Sequence, residues 1–223
     1  ELKNAPLVQC KYPLFLQHNL VLIDVCDDKD CYEEKTSDQK GLVNHREADT
    51  VAQLIKRIRT HYHQRIVIIT PYKRQKKTIK TKLNELDELD PMLNVDTVDS
   101  FQGDEAPIVI YCTTRTRYCT DFFSDYARIN VAMSRTNNML FIVASSKYLR
   151  KYTSKKPDHV LPALADYIEQ NGIVLKSVNI WDDSLDWQYN PIALEHRKEN
   201  NTSPLSNTQQ HYEFLESEYM SLL

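Results

Sequence analysis

The sequence predicts an α/β domain built on a mostly parallel sheet, and three observations carry that expectation. Short apolar runs alternate along the chain with stretches of helical period, the order that a parallel sheet requires. The runs at 20–26 and Ile66–Thr70 are nearly continuous in apolar or β-branched residues, as expected when both faces of a strand are covered. The 223 residues are 41% hydrophobic and 26% charged, the balance of a globular chain with enough length to bury a core.

Each element has a local reason. Residues 20–26 read as a buried strand and the polar stretch 27–41 as a loop. From Asn44 onward, Ala48, Val51, Ala52, Ile55 and Ile58 recur at helical spacing. Asn44 suits an N-cap, and Glu47 three residues later fits a capping box. Ile66–Thr70 is a strand stopped by Pro71, and 72–89 returns to helical period through Ile79, Leu83 and Leu86. Strands are expected at 95–98, 108–113 and 139–144, with a helix at 126–134 between the last two. A helix over 159–171 has Pro162 in its first turn and Gly172 just past its end, and 173–176 is a final strand. The expected domain is 1–176, followed by an acidic tail at 177–223.

Charge and cysteine usage narrow the function classes. The net charge of −3 is uneven: residues 175–223 carry three Lys or Arg against eight Asp or Glu, a net of −5, which leaves +2 for 1–174. Nucleic-acid contact must therefore come from local basic patches. Cys10, Cys26, Cys31, Cys112 and Cys119 form no C-x-x-C pair, which argues against a zinc site or disulfide framework and for an intracellular setting, cytoplasmic or nuclear. No apolar run approaches the roughly 20 residues that span a bilayer. The chain starts at Glu1 rather than Met and is expected to be a piece of something longer. In 181–210 Asn, Ser, Thr, Gln and acidic residues dominate, which suggests a loosely docked tail. Tyr212, Leu215, Tyr219 and Leu222 then return to helical spacing, either as a short amphipathic helix for a protein partner or as a frayed terminus.

Four segments carry candidate chemistry. One is Val98-Asp99-Ser100-Phe101-Gln102-Gly103-Asp104-Glu105; another is Ala127-Arg128-Ile129-Asn130-Val131-Ala132-Met133-Ser134-Arg135-Thr136. With only three glycines in the chain, Gly103 marks a turn where a missing Cβ permits close backbone approach. A lone arginine such as Arg135 is most often a surface cation complementing a helix end. The third segment is Ile69-Thr70-Pro71-Tyr72-Lys73-Arg74-Gln75, with Lys76, Lys77, Lys80 and Lys82 behind it. That basic face is either a solvated helix surface or a phosphate-binding patch. The fourth, Thr113-Thr114-Arg115-Thr116, follows a strand. In parallel sheets ligands bind beyond the carboxyl ends of the strands, where Thr70-Pro71-Tyr72 and Thr114-Arg115 are expected.

Together these segments resemble motifs IV, V and VI of the superfamily 1B helicases, the group that contains the nonsense-mediated-decay helicase and senataxin. The family pattern V-D-x-F-Q-G-x-E is met at every position by 98–105. Arg128, Asn130, Val131, Ala132, Ser134 and Arg135 match motif VI, and Thr70, Pro71, Tyr72 and Gln75 match I-x-T-P-Y-x-x-Q. The resemblance covers roughly residues 1–150. It implies a RecA-like three-layer domain of the P-loop NTPase superfamily, working with ATP and Mg2+. It casts Arg135 as an arginine finger and Glu105 as a second catalytic-cleft residue, with Gly103, Gln102 and Arg128 at the nucleotide. It casts Thr70, Pro71, Tyr72, Lys73, Arg74, Ser100 and Arg115 as contacts to single-stranded RNA or DNA. Arginine fingers contribute on the order of 10³–10⁵ in rate.

There are departures. Ala127 stands where an arginine is common, Asp121-Phe122-Phe123 replaces G-F-L, Thr136 replaces alanine, and Pro107 interrupts the step after Glu105. No G-x-x-x-x-G-K-[ST] and no D-E-[AS] after a strand occurs, so the phosphate cradle and magnesium ligands of the family are missing from the sequence. The resemblance places them on a first RecA-like domain, the expected partner of this one, and the chain alone is expected not to hydrolyse ATP. The rival readings are a helicase-like binding scaffold whose catalysis has decayed, and a plain Rossmann-like nucleotide binder. The second is disfavoured because no glycine-rich loop follows the first strand.

Overall fold

The computed structural model describes residues 16, 18–26, 30–35, 41–101, 105–117, 130, 134–151 and 160–181. Six strands form one sheet: β1 (Leu20–Asp24), β4 (Ile66–Thr70), β5 (Leu93–Thr97), β6 (Ala106–Cys112), β7 (Thr136–Ala144) and β8 (Ile173–Lys176). Their order is β5-β4-β6-β7-β1-β8 and every pairing is parallel. A small antiparallel ribbon, β2 (Glu34–Lys35) with β3 (Leu42–Val43), occupies part of the stretch expected to be loop. The helices are α1 (His45–Arg59), α2 (Lys73–Glu85), α3 (Ser146–Lys151), α4 (Val160–Asn171) and α5 (Val178–Trp181).

Side chains alternate across the sheet and so build two cores, one on each face. Val21, Ile23, Ile66, Ile68, Ile108, Ile110, Phe141 and Val143 face α1 and α2, whose Val51, Leu54, Ile55, Ile58, Ile79 and Leu83 complete that layer. Leu20, Leu22, Val67, Ile69, Val109, Tyr111, Leu140 and Ile142 point the other way, onto Tyr148 and Leu149 of α3 and Leu161, Leu164 and Ile168 of α4. Val98 and Phe101, in the segment that leads from β5 towards β6, close the second face. The first core continues past the boundary expected at 176: Ile180 of α5 is buried in it, and its carbonyl accepts from Arg57 Nε at 2.6 Å. Gly172 follows α4 where the chain turns into β8. A Cβ there would lie 2.7 Å from the Leu20 carbonyl oxygen, which cannot move without disturbing β1, so close approach requires glycine.

The strands and helices expected on described residues are present, but β5, β6 and β7 begin two or three residues earlier than expected, β6 taking in Pro107, and α3 and α5 were not expected. Of the helix expected at 126–134, only Asn130, Ser134 and the bond from Ser134 N to the Asn130 carbonyl (2.8 Å) are described. The tail from 182 and the segment 1–15 lie outside the described residues.

The capping box is only half formed. Asn44 caps α1 as expected, its Oδ1 accepting from Glu47 N at 2.9 Å. Glu47 does not reach back to the Asn44 N–H, which donates instead to Gln75 Oε1 of α2 (2.8 Å), while Gln75 Nε2 donates to the Asn44 carbonyl (2.9 Å). The Glu47 carboxyl turns inward to the end of β6. Its Oε2 accepts from Thr114 N (2.6 Å) and Cys112 Sγ (2.9 Å), and its Oε1 from Thr113 Oγ1 (3.1 Å). Asn44 Nδ2 also donates to the Thr114 carbonyl at 3.3 Å, and the hydroxyls of Thr114 and Thr70 meet at 3.0 Å. Every polar atom of Thr114 is therefore engaged. This matters because Thr114 has φ 68°, a left-handed conformation that a β-branched residue adopts only under constraint.

Glu47 is fully buried, and burial outweighs the hydrogen bonds from Cys112, Thr114 and Thr113, pushing its carboxyl from 4.5 up to about 7. Burial and the adjacent Glu47 carboxyl push the Cys112 thiol well above its usual range, so it stays a neutral donor. Because the folded-state pKa of Glu47 lies above the unfolded one, its contribution is fully favourable below pH 4.5 and is lost as pH rises through 7. A shift of this size corresponds to about 3 kcal/mol. We expect Glu47→Gln, which mimics the protonated carboxyl, to flatten the fall in stability between pH 5 and 7. Glu47→Ala should lower stability at all pH by about 1–3 kcal/mol for each buried donor left unmatched. Urea unfolding across that pH range measures both.

Candidate functional site

The sequence-predicted residues fall into two groups at opposite edges of the sheet. The carboxyl edge holds Thr70, Pro71, Tyr72, Lys73 and Arg74 after β4, Ser100 after β5, and Arg115 after β6. The amino edge holds Glu105 and Arg135, the residues immediately before β6 and β7. The seven residues of β6 separate the groups by roughly 20 Å. The expectation that ligands sit beyond the carboxyl ends therefore applies to the first group alone.

At the amino edge, Ala106 N donates to the Arg135 carbonyl at 2.9 Å, which fixes the two segments side by side. Arg65 Nη1, at the start of β4, donates to the Glu105 carbonyl at 3.2 Å and adds a cation that the sequence reading did not pick out. Arg135 is half-buried, and its Nε is a buried donor without a hydrogen-bond partner among the described residues. Asn130 Oδ1 is a second buried orphan, an acceptor one helical turn before Ser134. Buried donors are seldom left unmatched, and where they are, a catalytic or binding role is one explanation. A guanidinium donor in this state suits the oxygens of a phosphate. Glu105 is exposed. Gln102, Gly103 and Arg128 lie outside the described residues.

The carboxyl edge is more fully described. Thr70 and Pro71 are buried, and the Thr70 hydroxyl is engaged with Thr114. Both were expected as contacts to a nucleic-acid strand; in the structure their side chains are covered by the protein itself. Tyr72 is half-exposed, and Arg115 packs against it, with Nε donating to the phenol oxygen and the guanidinium carbon 5.5 Å from the ring centroid. Ser100 is exposed and its hydroxyl accepts from Thr97 Oγ1 at 2.9 Å, while Thr97 itself is buried.

Lys73 and Arg74 occupy the first turn of α2 and are exposed. The N-cap Tyr72 makes no side-chain capping bond, and the first turn has no acidic residue. Two cations at the positive end of a helix dipole are unfavourable for the helix alone. With no side-chain cap from Tyr72, this helix start suits an anion. Gly41 provides the room for this arrangement, since a Cβ there would lie 2.2 Å from Arg74 Cγ. The basic face behind them is narrower than the sequence suggests. Lys76 pairs with Asp96 at 2.8 Å, and Lys82 with Asp49 at 3.0 Å and Glu85 at 3.4 Å, so their charge is locally balanced.

Three further residues shape this edge: Glu47 and Gln75, which the sequence placed in a capping box and in motif IV without a contact role, and Glu33, which it did not single out. Glu47 and Gln75 support it from below. Glu33 approaches from the ribbon side, its Oε2 accepting from Thr116 N (3.0 Å) and Thr116 Oγ1 (2.8 Å) and its Oε1 from Arg117 N (3.4 Å). The only local signal for Glu47 was its capping-box spacing, which pointed to a different bond. For Glu33 there was none.

A family model described as an AAA domain matches residues 3–147. The chain is 30% identical over 134 residues to the probable helicase MAGATAMA 3 of Arabidopsis thaliana, covering 54% of this chain and 16% of that protein. It is 32% identical over 116 residues to the RNA helicase Mov10l1 of Mus musculus (48% and 9%), and 35% identical over 123 residues to the 5'-3' DNA helicase ZGRF1 of Mus musculus (53% and 6%). The matched region thus spans less than a fifth of each relative. With a parallel sheet covered by helices on both faces, the chain belongs to the AAA-domain family of P-loop NTPases, as a RecA-like domain of the superfamily 1B helicase type.

Proposed function

We propose that this chain is the second RecA-like domain of an ATP-dependent helicase that translocates along and unwinds nucleic acid, with RNA as the favoured substrate. The observation that carries this reading is the half-buried Arg135, whose unmatched Nε sits at the amino edge beside the segment bearing Glu105. ATP would lie between this edge and a first RecA-like domain that supplies the phosphate cradle and the Mg2+ ligands. In the loose transition state of phosphoryl transfer, charge spreads over the γ-phosphate oxygens, and a guanidinium in a water-poor cleft stabilises it. Glu105, with Gly103, Gln102 and Arg128 close in sequence to these two positions, completes this domain's share of the nucleotide site. At the other edge Tyr72, Arg115, Lys73, Arg74 and Ser100 would hold the strand by phosphate contact and stacking. The bound nucleotide and the strand communicate through β6, a buried strand with Glu105 before it and the Thr114 bracket after it.

The relatives include one named as an RNA helicase and one as a 5'-3' DNA helicase, and contacts to the phosphate backbone suit either polymer. The superfamily 1B resemblance implies 5'-to-3' movement.

In the full-length protein, Arg135→Ala should lower nucleic-acid-stimulated ATP turnover by about 10³-fold or more while strand binding is retained. Unchanged turnover would remove Arg135 from the reaction, and an inactive wild-type protein would favour the scaffold reading. In a phosphate-release assay the 223-residue chain alone should show no turnover, since it has no P-loop sequence. Arg115→Ala should weaken binding of single strands and reduce the slope of log affinity against log salt by about 0.7, the loss of one phosphate contact. A salt titration by fluorescence anisotropy measures that slope.

A further inference from the structure

The segment after β6 alternates in a way that the proposed strand-binding reading does not use. Thr114 and Thr116 turn to buried carboxylates, Glu47 and Glu33 respectively. Arg115 and Arg117, between and after them, each meet a tyrosine: Arg115 lies against Tyr72, and the Arg117 guanidinium carbon is 4.0 Å from the centroid of the Tyr32 ring. The contacts alternate along the sequence although the segment is not a strand: Thr114 is left-handed, and Glu33 accepts from two successive N–H groups. Tyr32 is 50% exposed, one of the few large hydrophobic side chains left so among the described residues, and Arg117 is exposed beside it. The loop is not loose at this point, because Glu33 holds the Arg117 and Thr116 N–H groups from beneath.

We propose that Tyr32 and Arg117 form a second stacking-and-phosphate site for single-stranded nucleic acid, continuous with Tyr72 and Arg115 along the carboxyl edge. The inference rests on the strand-binding reading above. An exposed aromatic ring already paired with a guanidinium offers a base a π-face and its phosphate a cation. Arg115 and Arg117 are two residues apart, so their backbones lie within about 7 Å of one another. A strand that fills one therefore passes the other. Neighbouring bases of even a short oligonucleotide can therefore fill both pairs.

The test is fluorescence anisotropy with the full-length protein and labelled oligouridylates of about 5 and about 15 nucleotides, lengths that bracket common single-strand site sizes. Tyr32→Ala should weaken binding of both probes by about tenfold, as loss of one stacked base does. Tyr32→Phe should bind like the wild type, because stacking needs the ring and not the hydroxyl. Arg117→Ala, a change at an exposed position, should weaken the longer probe and lower its salt slope by about 0.7. The proposal is overturned if Tyr32→Ala and Arg117→Ala match the wild type on the longer probe while Arg115→Ala weakens it. A loss with Tyr32→Phe as large as that with Tyr32→Ala overturns it too, since that outcome marks a disturbed loop rather than a lost stacking face. If Arg115→Ala and Tyr72→Ala are also without effect, it is the strand-binding reading itself that fails.

Discussion

The buried carboxyl of Glu47 holds the structure together at the point where fold and site meet. It lies at the start of α1, yet its partners are at the end of β6: the Thr114 N–H, the Thr113 hydroxyl and the Cys112 thiol. Asn44 and Gln75 tie the same spot to α2. One polar cluster thus links two helices and a central strand inside an otherwise apolar layer. Such a cluster is costly when partly satisfied and rigid when fully satisfied. It also holds Thr114 in a conformation that its own side chain disfavours. The direction of the next residues, including Arg115, depends on that constraint.

From this bracket the division of the molecule into two working edges follows. β6 is buried almost throughout and paired on both sides, by β4 and β7. A strand so placed behaves as a stiff connector. Its start is pinned to Arg135 through the Ala106 N–H, and its end is pinned by Glu47. The proposed roles of the edges use that stiffness: charge stabilisation at one, strand grip at the other.

Much of the fold was legible because burial on both faces leaves a plain signature. The strands Ile66–Thr70 and Ile173–Lys176 have the bounds that their composition implies, and α1 begins at the Asn44 cap. The reading failed where a residue's partner is far away in sequence. Glu47 has the spacing of a capping box, and its carboxyl instead goes to residues more than sixty positions on. Thr70 looked like a surface contact because its motif sits at a strand end, yet the last residue of β4 faces Thr114 inside the protein. Lys76 and Lys82 looked like part of a phosphate-binding face, but Asp96 and Asp49 balance them across the fold.

The sequence by itself determined which segments form the sheet and which family the motifs belong to, because apolar periodicity and motif spacing are local properties of the chain. Tertiary structure alone decided that Arg135 and Glu105 share one edge while Tyr72 and Arg115 share the other. It also decided that Glu33 and Tyr32, from a stretch read as loop, complete the carboxyl edge. The physical reason is that parallel pairing fixes strand ends together irrespective of their distance along the chain. A carboxylate's partner is set by which strand end that pairing brings beside it, and no local pattern encodes that.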